Sequence, residues 1–127
     1  TIAQANWPSA KVSYHELSED IILYADYGQI SQVMNNLIKN AVQAGASDID
    51  ITASIDKRER TVINVANNGE PISETGREQI FVPFYTTKGV SGTGVGLSLC
   101  RQIIRLNGGT INLTSSTLEA TVFTIVL

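Results

Sequence analysis

The sequence has a single cysteine, Cys100, among 127 residues. One cysteine excludes an internal disulfide framework and a cysteine-built zinc site, and it suits a reducing, cytoplasmic setting. There is also a single histidine, His15, with no serine or cysteine partner in view, so it reads as a structural or surface residue. Positive charge is scarce. Nine Lys and Arg against twelve Asp and Glu leave a net charge of -3, so no overall basic field exists to hold nucleic acid. No apolar run approaches the roughly 20 residues of a membrane span. No basic-then-apolar signal segment opens the chain. The rest is ordinary: 43% apolar and 17% charged residues describe a folded globular chain, and the length fits one domain, residues 1–127. The chain starts without Met and stops inside an apolar run at Leu127, which reads as a fragment cut from something longer.

Hydrophobic spacing divides the chain. Ala10–Glu16 and Asp20–Tyr24 read as short strands with a turn at 17–19. Asp26 has the place of a helix N-cap, with Gln29 in the capping-box position. From there Ile30, Val33, Met34, Leu37, Ile38, Ala41 and Val42 follow a 3.6-residue period, and Gly45 is the stop. Ile49, Ile51, Ala53 and Ile55 alternate with polar residues, as in a half-buried strand. A charged tip at 56–60 returns into a strand over 61–66, ended by Asn67–Asn68–Gly69–Glu70–Pro71. A short helix is expected from Ser73 or Glu74 to Ile80, and an irregular segment over 81–96 holds four of the ten glycines. A last helix carries Val95, Leu99, Ile103 and Leu106 and closes at Asn107–Gly108–Gly109, with Cys100 core-facing and inert. Strands over 110–115 and 121–127 end the chain. Neighbouring strands pair as hairpins and helices cover one face. The reading is an α+β, two-layer sandwich, not a doubly wound sheet.

Four places can carry chemistry, and each also has a plain reading. Asn36 and Asn40 share a helix face bordering the apolar stripe. They are surface amides, or they offer carbonyl oxygens to a hard cation such as magnesium, with Lys39 and Gln43 within reach of a phosphate. Asn67–Asn68–Gly69 is a turn, or a polar strand end that meets the edge of a heterocycle where glycine allows close approach. The glycines at 92, 94 and 96 form a linker, or a loop whose backbone donors run into a helix N-terminus and favour phosphate. The pattern is neither a Walker loop nor a dinucleotide fingerprint. Phe81 and Phe84 pin the root of that loop, and Lys88 is a solvated cation or a partner for a terminal phosphate.

The order and spacing of these segments are far more specific than any one of them. QVMNNLIKNAVQA (32–44), NNGEPI (67–72), IFVPFYTTK (80–88) and GTGVGLSLCRQIIRLNGGTI (92–111) resemble the asparagine, first glycine, phenylalanine and second glycine boxes of sensor histidine kinases. The resemblance runs from about Lys11 onward and points to the catalytic ATP-binding domain, a member of the GHKL (Bergerat) ATPase superfamily. It implies a mixed, mostly antiparallel sheet of about five strands backed by about three helices, with ATP and Mg2+ as cofactors. By resemblance, Asn40 is the magnesium ligand, and Asn36 lines the phosphate site with Lys39 and Gln43 beside it. Asn67, Gly69 and Ile72 form the base-binding turn. Gly92, Gly94 and Gly96, with donors near Thr93, Val95 and Leu97, form the phosphate lid, and Thr87 and Lys88 meet the γ-phosphate. No residue of the chain is a certain catalytic group; Asn40 and Lys88 position only.

Of two departures from the family pattern, the first carries weight and the second little. The family's base-binding aspartate is Asn67 here, and the second glycine of that box is Pro71. An amide loses the charge assistance of a carboxylate, about 1 kcal/mol in the base contact. The second departure is Glu119–Ala120, where many relatives have glycine; an altered hairpin is expected. The superfamily's ATP-hydrolysing members carry a glutamate base four residues before the magnesium asparagine. Here that residue is Asn36, which cannot take a proton, so hydrolysis is disfavoured. The same absence of an acidic base disfavours a serine-kinase relative of the anti-sigma type. The acceptor histidine belongs to a helical dimerisation domain that this sequence lacks, so the chain alone is not expected to autophosphorylate. Its expected partners are that dimerisation and phosphoacceptor domain and a downstream response regulator. Its expected place is the cytoplasm, within a parent that can be membrane-anchored, and direct contact with membrane or nucleic acid is not expected. The alternative is a degenerate nucleotide-binding or scaffold domain without catalysis.

Overall fold

The computed structural model describes residues 10–17, 25–77, 79–82 and 96–127. The strand expected over 20–24 lies outside them. The elements are β1 (Lys11–Glu16), α1 (Tyr27–Gln43), β2 (Asp48–Ile55), β3 (Thr61–Asn67), α2 (Glu74–Arg77), α3 (Gly96–Leu106), β4 (Thr110–Ser116) and β5 (Thr121–Val126). The five strands form one mixed sheet in the order β1-β2-β3-β5-β4. All neighbours are antiparallel except β1 and β2, which run parallel with Lys11 opposite Asp48.

That parallel pair departs from the hairpin rule applied to the sequence. α1 carries the chain back over the sheet between β1 and β2, so this unit is a crossover and not a turn. The β2–β3 and β4–β5 pairs are hairpins, as expected. At the first tip, Asp56 bonds the backbone N–H of Arg58 and Arg60 and the Arg60 guanidinium, at 2.8–2.9 Å. These bonds hold its carboxyl below the usual carboxylate range. The second hairpin turns through 117–120. There the N–H of Thr117 donates to the Ala120 carbonyl, and β4 shifts register between Leu113 and Ser115.

α1 follows its sequence signals closely. The Asp26 carboxylate accepts from the Gln29 N–H at 2.9 Å, and Val33, Leu37, Ile38 and Ala41 are buried. Gly45 ends the helix at φ 84°, with Ala46 N–H donating to the Ala41 carbonyl and Gly45 N–H to that of Val42. This is a Schellman closure, which needs left-handed backbone. Gly108 at φ 82° and Gly109 close α3 in the same way onto Arg105 and Ile104. α3 presents Cys100, Ile103 and Ile104 to the core. Leu106, expected on that stripe, is 75% exposed because the line of contact with α1 passes through 100, 103 and 104 instead. The short helix expected over 73–80 reduces to Glu74–Arg77, with the Ser73 hydroxyl accepting from the Gly76 N–H.

The core lies between the sheet and the helices. β2 contributes Ile49, Ile51 and Ala53, β3 Ile63 and Val65, β4 Ile111, and β5 Phe123 and Ile125. Ile55, expected on the same face, is partly exposed at the hairpin tip. Each large side chain fully buried in this layer contributes about 1.5–3 kcal/mol before the entropy of ordering it is counted. No helix among the described residues is long and apolar enough to cross a membrane.

Candidate functional site

α1 and α3 pack against each other in opposite directions, and polar contacts fix the alignment. At the start of α1, the Asn107 carbonyl oxygen accepts from Asp26 N–H at 3.2 Å, and its Nδ2 donates to Gln29 Oε1 at 2.9 Å. Midway, the Cys100 thiol lies 3.8 Å from the Val33 carbonyl and hydrogen-bonds the Asn36 side chain. Burial pushes the Cys100 thiol up to about 11, and the Asn36 contact only partly opposes that shift. The thiol is therefore neutral and inert at physiological pH, as its place in the sequence predicts.

Asn40 lies one turn after Asn36 on α1, and α3 begins at Gly96, one turn before Cys100. There the helix dipole favours an anion. On its other side, the end of α1 meets the turn after β3. Glu70 N–H donates to the Ala44 carbonyl at 2.8 Å. A Cβ on Gly69 would lie 2.9 Å from that same oxygen, so only glycine fits this approach.

The structure thus joins Asn36 to Cys100 of α3 and the turn at Gly69 to Ala44 at the end of α1, and Asn40 lies between Asn36 and Ala44 along that helix. Lys39 and Gln43 are exposed on the same stretch. Thr87, Lys88, Gly92, Thr93, Gly94, Val95 and Phe84 lie outside the described residues. Phe81 meets Phe123 edge-on, with ring centroids 6.3 Å apart, which fits the pinning role read from the sequence.

Asn67 and Asn68 differ sharply despite being adjacent. The Asn68 oxygen accepts from the N–H groups of Ser47 and Asp48 at 2.9 and 3.0 Å, while its Nδ2 donates to Ser47 Oγ and Asp48 Oδ2. Asn68 is therefore a tie between β3 and the start of β2. Asn67 is 94% buried on the helix-covered face, and its Oδ1 accepts from Gly69 N–H at 2.9 Å. The oxygen that the sequence offered to a heterocycle is engaged by the turn itself.

Two residues beside Asn67 escaped the sequence reading. Thr121 stands opposite Asn67 on β5, and Ser116 stands opposite Thr121 on β4. Both are buried and share a 2.7 Å hydrogen bond, and Ser116 Oγ also accepts from Ile72 N–H at 2.8 Å. The Arg77 guanidinium donates to the Ser116 carbonyl. Ile72 is thereby tied to the sheet end by its backbone. The available signal was weak: hydroxyl residues at strand ends, brought into one row only by register. Arg101 was also missed. Its guanidinium stacks 4.3 Å from the Phe81 ring centre. It lines a groove of about 470 Å³ with Phe81, Ser98, Gln102, Arg105 and Leu106.

Residues 25–127 match the family described as histidine kinase-, DNA gyrase B-, and HSP90-like ATPase. The chain belongs to this ATPase family. Sporulation kinase D of Bacillus subtilis is 32% identical over 127 residues, spanning 98% of this chain and 25% of that protein. Sensor histidine kinase ZraS of Salmonella typhimurium is 36% identical over 105 residues, spanning 81% of this chain and 22% of its own. The chain therefore spans about a quarter of the length of these relatives. The solved catalytic domain of histidine kinase ThkA superposes with a TM-score of 0.82 at 32% identity, over 99% of this chain and 87% of that one. Within the ATPase family the chain is a catalytic domain of the histidine-kinase kind, and its mixed sheet and helices are the expected two-layer fold.

Magnesium is the one metal this fold implies. Among the described residues no three His, Cys, Asp or Glu side chains gather to hold a metal. An amide oxygen from Asn40 is a hard ligand but a single one. That fits magnesium, which keeps most of its shell for water and phosphate oxygens.

Proposed function

We propose that the chain binds Mg-ATP around the C-terminal half of α1 and presents the γ-phosphate to a histidine on a separate helical domain of a two-component sensor kinase. The observation that carries this reading is the antiparallel packing of α1 on α3, fixed at Asn107 and Cys100, with the turn at Gly69 closing on Ala44 at the end of α1. An acceptor amide, a helix N-terminus and a close-packed turn then face one volume. The first would hold magnesium, the second the phosphates and the third the base.

The bound metal supplies charge neutralisation on the phosphates. The chain's own residues bind and orient. Phosphoryl transfer depends chiefly on position and electrostatics, so a domain without a nucleophile can still be the catalytic one. Asn36 bonds Cys100 and has no basic atom to activate water, which favours transfer to a partner over hydrolysis. The absent partner is the dimerisation and phosphoacceptor domain, with a response regulator downstream. Thr87, Lys88 and the glycines at 92 and 94 complete the phosphate side in this reading. The domain works in the cytoplasm.

Calorimetric titration with ATP and magnesium tests the proposal. The expected dissociation constant lies between about 1 µM and 1 mM. Asn40→Ala should weaken binding by about tenfold or more, with the thermal midpoint recorded as the check on folding. Absence of binding by the unaltered chain at millimolar ATP would defeat the proposal and leave the scaffold reading.

A further inference from the structure

We infer that Asn67 removes the site's preference for a 6-amino purine and lets it accept 6-oxopurine nucleotides. The inference rests on the reading that the turn after β3 meets the base. Asn67 Oδ1 accepts from Gly69 N–H at 2.9 Å. A backbone N–H can only donate, so the atom facing it must be the amide oxygen, and the orientation of the side chain is settled by chemistry. Rotating the amide to bring the oxygen to a ligand would set Nδ2 against Gly69 N–H, two donors face to face. Gly69 cannot back away. It sits against Ala44, where a Cβ would already be 2.9 Å from the carbonyl oxygen, and Glu70 N–H holds that oxygen at 2.8 Å.

The second head atom of Asn67 is therefore a donor. The side chain is 94% buried, and the described residues give its Nδ2 no acceptor. A buried donor without a partner is costly, so a ligand that brings an acceptor gains by supplying one. A carboxylate here would place an acceptor in both positions and would select a base carrying an amino group. The amide selects a base carrying an acceptor. On the pairing edge of a purine that is N1 of a 6-aminopurine or O6 of a 6-oxopurine. The neighbouring Thr121 hydroxyl donates or accepts as required and imposes no choice.

ATP and inosine triphosphate differ only at the 6-position and the adjoining N1 proton, and they isolate this effect. Both are titrated with magnesium into the unaltered chain, Asn67→Asp and Asn40→Ala, with thermal midpoints recorded as the check on folding. The unaltered chain should bind the two within about threefold of each other. Asn67→Asp should move the ratio toward ATP by about tenfold or more. A preference for ATP above about tenfold in the unaltered chain, or a ratio unmoved by Asn67→Asp, overturns the inference. If both nucleotides bind and Asn40→Ala weakens both, that failure leaves the nucleotide site standing. If neither binds any variant, the nucleotide site and the inference fall together.

Discussion

Asn107 at the N-terminal end of α1 and Asn67, in the turn that packs on its C-terminal end, are matched differently. At the N-terminal end, Asn107 accepts from Asp26 N–H and donates to Gln29 and to the Ile103 carbonyl, so every polar atom of its head is matched by protein. At the C-terminal end, Asn67 accepts from Gly69 N–H, and its buried amino group meets no acceptor among the described residues. A fully matched amide is a structural clamp. A half-matched buried amide keeps a donor that the proposed ligand can use. The difference separates residues that hold α1 in place from those that face a ligand.

Substitutions at each end break this contrast in opposite ways. Gly69→Ala should act most strongly. Its Cβ would press on the Ala44 backbone, costing about 3 kcal/mol in denaturant unfolding and weakening nucleotide binding as well. Between the two ends lies Cys100, whose raised thiol ties stability to pH. The folded chain holds this proton more tightly than the unfolded one. The benefit is therefore complete below about pH 9 and is lost as pH rises toward about 11, a fall on the order of 3 kcal/mol. Unfolding measured across that range should show the decline, and Cys100→Ala should flatten it. Asn107→Ala should cost about 2 kcal/mol while leaving nucleotide affinity unchanged, the reverse of the result expected for Asn40. Asp26→Ala removes only the cap and should cost about 1 kcal/mol, read as a small drop in thermal midpoint. If Asn107→Ala weakened nucleotide binding as much as Asn40→Ala, the division between clamp and site would be wrong.

Much of the fold was legible because its signals are local. The Asp26 cap, the apolar stripe of α1 and the glycines at 45 and 108 act within one or two turns of chain. The turn at Asn67–Gly69 was legible for the same reason. The errors fall where distance in sequence is large. The parallel pairing of β1 with β2 depends on how α1 crosses the sheet, and Leu106 turned outward because α3 takes its face from α1. Asn68, next to Asn67 and of the same type, proved to be a tie between strands, and nothing in their spacing separates the two. Thr121 and Ser116 joined the site end only through strand register.

The sequence by itself determined where the helices start and stop, which faces they bury, and which boxes of residues could meet a nucleotide, since capping, periodicity and backbone freedom are properties of short segments. The tertiary structure alone decided that Asn36 meets Cys100 across α1 and α3, that Gly69 closes on Ala44, and that Asn67 spends its oxygen on the turn. Those outcomes depend on which surfaces pack together, and packing joins residues that the chain keeps far apart.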